Sequence, residues 1–284
     1  MLLWGVQPLA IALTVGKIPG GALAFAKIAT ALAAIACGKL LKGHRPSLPK
    51  SRPLLVLATA ASLAVSYYLY NACFRYLTPG GTQMYFLTSR LFLALAGIFL
   101  FKETFRRVQW LAFAALIAGF GLYFHDQLRV SGEGYALGVL MALGSAATWA
   151  AFAVGQKKLL AHYTSAQALL LLYALATLFL APLADVQPFA HLGVVELAAL
   201  FVVCATNVAA FFLFSESLRH WDTTKIAAVS TLTPLATVVL VALASLVSPV
   251  FHPEPLNFLS AGGAVVAVLA AAAIALLGNR ERTI

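Results

Sequence analysis

The sequence predicts an all-α membrane protein, ten transmembrane helices arranged as two inverted five-helix repeats, and three observations carry that expectation. Its 284 residues are 62% hydrophobic and 10% charged, with a mean hydropathy of +0.93, against a charged fraction of about 25% in ordinary globular chains. Apolar runs long enough to cross a hydrocarbon core of about 30 Å recur from end to end, each bounded by Gly, Pro or charge. Landmarks of the first half return in the second at a near-constant spacing, the mark of a duplicated unit.

The runs fall at residues 1–16, 20–41, 53–77, 82–101 and 107–125, then at 134–155, 164–184, 192–218, 223–248 and 255–278. The first is short for a crossing. It opens on Met1-Leu2-Leu3-Trp4 without a basic segment or a small-residue cleavage site, so it reads as a span with room for native residues upstream and not as a signal peptide. The second follows Pro19 and carries Lys27, the third runs from Pro53 toward Arg75, and the fourth follows Pro79 and carries Arg90. Gly20-Gly21 and Gly80-Gly81 read as turns after those prolines. The fifth starts behind Arg106-Arg107; the polar stretch 126–133, with Asp126, Arg129, Ser131 and Gly132, is the linker. In the second half the seventh span opens at Thr164, the ninth holds Pro234 near its middle, and the tenth is Ala-rich around Gly262-Gly263. Gly119 with Gly121, Gly134 with Gly138, and Gly262-Gly263 read as surfaces for close helix packing.

A net charge of +10 points to nucleic acid in a soluble chain, but here position decides otherwise. The basic residues sit in short connections and form no separate basic or aromatic-interleaved patch, so nucleic acid is excluded as a partner. With both termini in the cytoplasm, Lys39, Lys42, Arg45, Lys50, Arg52, Lys102, Arg106, Arg107, Lys157, Lys158, Arg219, Lys225, Arg280 and Arg282 lie inside, and Lys17, Arg75 and Arg129 outside. Lys27 and Arg90 are left within the membrane. Cys37, Cys73 and Cys204 fall inside spans with no CxxC spacing and read as small apolar core residues. Neither a P-loop nor HExxH, GxSxG or a Rossmann glycine pattern occurs, so no catalytic centre, metal or cofactor is expected.

The repeat is traced by particular residues. Trp4-Gly5-Val6 and Trp149-Ala150-Ala151 stand 145 positions apart, as do Pro19 and Thr164; Phe74-Arg75-Tyr76 and Leu218-Arg219-His220 are 144 apart, and Arg90 falls opposite Pro234 at 144. Glu103 aligns with Glu254 once about seven extra residues are allowed around 247–253. Residues 1–125 are the first repeat, 126–133 the linker and 134–284 the second. Five spans per half is an odd number, so the halves insert with opposite orientation.

These residues resemble the drug/metabolite transporter superfamily, specifically its EamA-type ten-helix permeases with paired five-helix repeats. The resemblance rests on Leu3-Trp4-Gly5, Lys27, Asn71-Ala72 with Arg75-Tyr76, and Glu103 with Gln109 and Gly119; in the second half it rests on Thr148-Trp149-Ala150 with Lys157-Lys158, Ser217-Leu218-Arg219, Pro234 and Glu254. Phe105-Arg106-Arg107-Val108-Gln109-Trp110-Leu111 also resembles the RarD-type permeases. The resemblance implies a secondary carrier moving small metabolites, amino acids or drugs, commonly outward, by alternating access without ATP. The chain departs from the family pattern in having Arg90 where proline is usual and Phe101-Lys102 where Leu-Gly is usual.

Helical spacing groups Tyr67, Tyr70, Asn71 and Phe74 on one face of the third span, Gln83, Phe86 and Arg90 on the fourth, Ser145, Thr148, Trp149 and Phe152 on the sixth, and Asn207, Phe211 and Phe214 on the eighth. Each stripe mixes rings with an amide, hydroxyl or charge, which suits a cavity that stacks an organic solute and hydrogen-bonds its polar groups. Helix packing through the same polar residues is the competing reading. The candidate substrate-binding set is Trp4, Gln7, Lys27, Tyr67, Tyr70, Asn71, Gln83, Arg90, Trp149, Asn207 and Ser230. Two deep cations without deep acids point to an anionic group on the cargo, or to carbonyl oxygens and snorkelling as the structural alternative.

Proton coupling needs a group that changes charge along the path, and Glu216 is the one acid within a span, so it is the coupling candidate; otherwise it is a partner for Arg219. Pro234, beside Ser230 and Thr233, is the hinge candidate. The expected activity is export of a small metabolite, first an amino acid or related carboxylate, from the cytosol across an inner membrane. The alternatives are a multidrug or aromatic-cation exporter and, from other classes, a membrane-embedded enzyme or a lipid scramblase. Expected partners are a small-molecule substrate and the lipid bilayer, with a homodimer allowed.

Overall fold

The structure is a computed structural model that describes residues 2–41, 52–101, 106–127, 133–220, 230, 233–248, 251 and 257–277. Its helices are α1 (Leu2–Ala12), α2 (Gly20–Leu41), α3 (Pro53–Cys73), α4 (Pro79–Phe86), α5 (Thr88–Phe101), α6 (Arg107–Gln127), α7 (Tyr135–Leu159), α8 (Ser165–Leu180), α9 (Val194–His220), α10 (Thr233–Ser245) and α11 (Phe258–Leu276). No strand occurs among the described residues. The fold is the expected all-α one, ten membrane helices as two inverted five-helix repeats, with α4 and α5 together forming the fourth and α10 the described part of the ninth. Gly20–Gly38, Pro53–Cys73, Tyr135–Leu159, Ser165–Leu183 and Val194–Ser217 are each long and apolar enough to cross a bilayer.

Local chemistry sets the ends. Thr164 closes a capping box with Gln167 at the start of α8, each satisfying a backbone N–H that the helix leaves unpaired. Thr78 caps α4, its side chain accepting from Gly81 N at 3.2 Å with Pro79 behind it, and Asn257 Oδ1 accepts from Ser260 N at 2.8 Å to open α11. Gly20-Gly21 and Gly80-Gly81 are therefore first turns of helices and not turns between them, because the preceding residue or cap already redirects the chain. The first span is helical only to Ala12; a run of turns follows over residues 13–17, with Gly16 at φ +83°, a conformation that favours glycine.

The helices pack in pairs that the duplication relates. Contacts of α1 with α9 are matched by those of α7 with α3, and α2–α8, α4–α10 and α6–α11 each join an element to its own repeat mate. The central apolar core draws on α2, α3, α7, α8 and α9, with Leu63, Phe152, Leu169, Leu172 and Tyr173 fully enclosed. A second cluster locks α6 to α11 through Leu116, Tyr123, Ala267 and Val268. Large apolar side chains face outward along the helices, among them Phe201, Leu140, Leu213 and Phe258, as lipid-facing residues do.

Glycine explains the tightest approaches. A Cβ on Gly119 would stand 2.7 Å from Ala267 N, and one on Gly263 would stand 2.6 Å from Tyr123 N and 2.7 Å from Gly119 O. Gln109 Nε2 extends this seam by donating to Ile274 O at 3.0 Å. Gly121 and Gly262 have open space where a Cβ would go, so the expectation of packing fails for them: one turn position meets the neighbour and the adjacent one points away. Gly138 packs on Tyr76 and Leu77, and Gly20 on the backbone of Asn71 and Ala72. Cys73 and Cys204 are buried as expected, but Cys37 is exposed on α2 and is not a core residue.

The fourth span differs most from its sequence reading. It is not one helix over 82–101: α4 ends at Phe86, Leu87 turns, and α5 begins at Thr88. Thr88 Oγ1 donates to Tyr85 O at 2.6 Å, and Arg90 N reaches back only to Leu87 O at 3.0 Å, a tighter turn than the α-helical step. Glu103, Glu254 and most of the linker at 126–133 lie outside the described residues.

Candidate functional site

A cavity of about 60 Å³, several times the room one water needs, opens between the two halves and is lined by Trp4, Gln7, Lys27, Ser66, Tyr67, Tyr70, Gln83, Phe86, Leu87, Arg90, Trp149, Asn207, Phe211, Ser230, Thr233 and Pro234.

The broken fourth span positions Arg90. Its place three residues after the turn at Leu87 carries the guanidinium onto the cavity wall, where its centre lies 4.6 Å from the ring centroid of Trp149, within cation–π range. The side chain is 8% exposed and its Nε has no hydrogen-bond partner. No carboxylate lines the cavity among the described residues. Gln7, 4% exposed on α1, likewise leaves Nε2 without an acceptor. Both orphaned atoms are donors.

Lys27 has a different setting. The residue is 2% exposed, and its Nζ lies 5.1 Å from the Tyr67 ring centroid and 5.5 Å from that of Tyr70 and donates to Asn71 Oδ1 at 3.4 Å. Asn71 Nδ2 donates to Tyr67 O at 2.6 Å, Tyr67 OH donates to Asn207 Oδ1 at 2.6 Å, and Asn207 Nδ2 donates to Lys27 O at 3.2 Å. The ring closes through α2, α3 and α9 and so joins the first half to the second. Gln83 Nε2 donates to Tyr70 OH at 3.0 Å and to Trp4 O at 3.4 Å, holding α4 against α3 and α1.

Aromatic rings form the rest of the wall. Trp4 and Trp149, mates under the duplication, meet edge to face with centroids 6.4 Å apart at 86°. Trp4 also packs on Phe211 at 5.5 Å and Phe214 at 5.3 Å, and Trp149 on Phe86 at 5.9 Å. The same spacing makes Tyr67 the mate of Phe211 and Arg90 the mate of Pro234, and all four line the cavity. In each of these pairs the first half supplies the polar member. Phe86 and Ser230 stand at the same spacing, and there the second half supplies the polar member.

Of the eleven candidate residues read from the sequence, ten line the cavity. Asn71 is placed just behind the wall, orienting Lys27. Ser66, Leu87 and Thr233 line it without having been singled out; Ser66 precedes Tyr70 by one helical turn, so the stripe already pointed to it. Ser145 is engaged with Ser66, its Oγ donating to Ser66 O at 2.9 Å while Ser66 Oγ donates to Ser145 O at 3.0 Å, and Thr148 bonds back to Gly144 O at 2.8 Å. Glu216 is away from the cavity lining, half-buried, with Oε2 accepting from Ser165 Oγ at 2.8 Å beside the start of α8. Pro234 lines the cavity near the beginning of α10.

The sequence profile of the EamA-like transporter family matches this chain twice, at residues 1–124 and 136–276. The chain is 31% identical over 287 aligned residues to the uncharacterised inner membrane transporter YhbE of Escherichia coli K12, covering 98% of this chain and 88% of that protein. It is 26% identical to an uncharacterised transporter of Haemophilus influenzae Rd, covering 98% and 92% of the two chains. A solved crystal structure superposes with a TM-score of 0.71 at 19% identity, over 98% of this chain and 95% of the other; at that identity the likeness concerns the fold.

Proposed function

This chain belongs to the EamA-like transporter family, and on that premise we propose that it is a secondary carrier of an inner membrane that exports a small carboxylate-bearing metabolite, in the first place an amino acid, by alternating access. The observation that carries the cargo class is the guanidinium of Arg90, enclosed against Trp149 with Nε unpartnered and no acid among the described residues on the cavity wall. A permanent charge held out of water without a counter-charge is costly. A cargo carboxylate on Arg90, with Gln7 Nε2 beside the same cavity, supplies both the missing charge and the missing acceptors. The rings of Trp4, Trp149, Tyr67 and Phe211 take its organic part.

Inverted halves that share one central site have two related packings, and exchanging them opens the site to one face and then the other. The inner-membrane placement follows the relative YhbE, and the cytoplasmic termini follow the distribution of basic connections. An aromatic cation, the rival cargo, suits the rings but meets Arg90 and Lys27 on the same wall.

The test is flux of radiolabelled amino acids, monocarboxylates and aromatic cations into proteoliposomes. Arg90→Ala is expected to suppress transport of every carried anion, and Arg90→Lys to restore part of it. Unchanged anion flux in Arg90→Ala removes the cargo assignment.

A further inference from the structure

We propose that Lys27 carries the coupling proton, taking it up together with the anionic cargo and releasing it when the cargo has left. This rests on the carrier reading above and goes beyond it by assigning the coupling group and the stoichiometry.

Lys27 and Arg90 line one cavity with no carboxylate among the described lining residues. Two uncompensated charges in one enclosed site repel each other and forgo hydration. Arginine remains charged throughout, whereas a lysine amine can release its proton when desolvated. The empty site is therefore relieved through Lys27 alone, as Lys-NH3+ gives H+ to water on the side to which the cavity is open and becomes Lys-NH2. When a carboxylate binds, the reverse step restores the ammonium. With a monocarboxylate the site then holds one net positive charge in both states, Arg90 alone when empty and Arg90, Lys27 and the carboxylate when loaded. One proton moves with each cargo anion in the same direction, so net export is driven by the outward gradient of the cargo and opposed by an inward proton gradient.

The surroundings of Lys27 fit that role. From α3 it faces the rings of Tyr67 and Tyr70 and the carbonyl of Asn71; from α9, Asn207 and the Cys204 thiol; and α8 brings Tyr173 to Tyr67's neighbour Phe211. Arg90 faces the same cavity from α5. None of these is an acid that fixes the ammonium permanently. The amine's single acceptor among the described residues, Asn71 Oδ1, lies on α3 in the same half and belongs to the ring that ties α3 to Asn207 on α9, so loss of the proton weakens a contact within the first half that adjoins the joint with the second. Glu216, held by Ser165 outside the cavity lining, is not placed to sense the cargo.

The experiment uses the full-length chain in proteoliposomes holding a lumenal pH dye, with the same panel of amino acids and monocarboxylates as probes. Wild-type protein is expected to move a proton with each carried anion. Lys27→Arg, whose charge is fixed, is expected to lower net flux by about tenfold or more relative to its own exchange of labelled for unlabelled cargo, and to abolish the dye signal. Lys27→His, which still titrates, is expected to recover net flux with its pH profile moved toward acid. Cargo flux without proton movement in wild type, or proton-coupled net flux in Lys27→Arg, overturns the proposal while leaving the carrier reading intact. If no probe moves at all, the carrier reading fails and the proposal falls with it.

Discussion

The hydroxyl of Tyr67 donates to Oδ1 of Asn207 across 2.6 Å, so a side chain of the first repeat is tied to one of the second at the wall of the shared cavity. Asn207 is fully buried, and Tyr67→Phe leaves its carbonyl without a donor. The expected cost is about 1–2 kcal/mol, read as a lower unfolding temperature in detergent. Tyr67→Phe combined with Asn207→Leu removes both partners and should cost less than the two single changes added. Additive losses mean that the pair does not couple the halves.

Arg90 stacks on Trp149 at 4.6 Å, so the ring holds the guanidinium in the cavity. Trp149→Leu is expected to raise KM for a carried anion by roughly fivefold, from a cation–π contact worth about 1 kcal/mol, while Trp149→Phe loses less. Equal effects from the two substitutions exclude the ring's role in positioning Arg90.

At the α6–α11 seam the backbone of Ala267 lies 2.7 Å from where a Cβ on Gly119 would stand, whereas Gly121 has nothing within 4 Å. Gly119→Ala should therefore force the helices apart at a cost of about 1–3 kcal/mol. Gly121→Ala should change stability little, or raise it slightly. Thermal unfolding of the two variants side by side decides, and a neutral Gly119→Ala contradicts the close approach.

Glu216 accepts from Ser165 away from the cavity lining. Glu216→Gln is expected to lower stability modestly, by about 0.5–1.5 kcal/mol, and to keep proton-coupled flux with its pH profile. Loss of the proton signal in this variant would make Glu216 the coupling group and remove that role from Lys27.

Much of the architecture was legible because a bilayer leaves few options. Runs such as 53–77 and 192–218 have to be helical when no water is present to satisfy their backbone, and α3 and α9 occupy them with shifts of only a few residues. The stripes Tyr67–Tyr70, Gln83–Phe86–Arg90 and Asn207–Phe211 fell on the cavity because helical spacing puts such residues on one face and lipid excludes them from the other. Asn71 shares the Tyr67 face yet serves Lys27 from behind the wall, since spacing assigns a face and not a partner. The turn at Leu87 was hidden because Met84 to Leu95 holds no Gly or Pro to mark a break; Thr88 and the packing of two separate pieces against α7 create it.

Composition, span length and the recurring landmarks settled on their own that this chain is a duplicated bundle of membrane helices, because the energetics of an unsatisfied backbone in hydrocarbon depend on local sequence alone. Which of its two buried cations is held in a ring of hydrogen bonds and which is left with an unpartnered donor depends on residues 44 to 180 positions away, such as Asn71 and Asn207. Only the packing of α2, α3, α5 and α9 around one cavity brings those groups within reach, since hydrogen-bond and cation–π energies vanish over a few ångströms and no spacing along the chain encodes such distances.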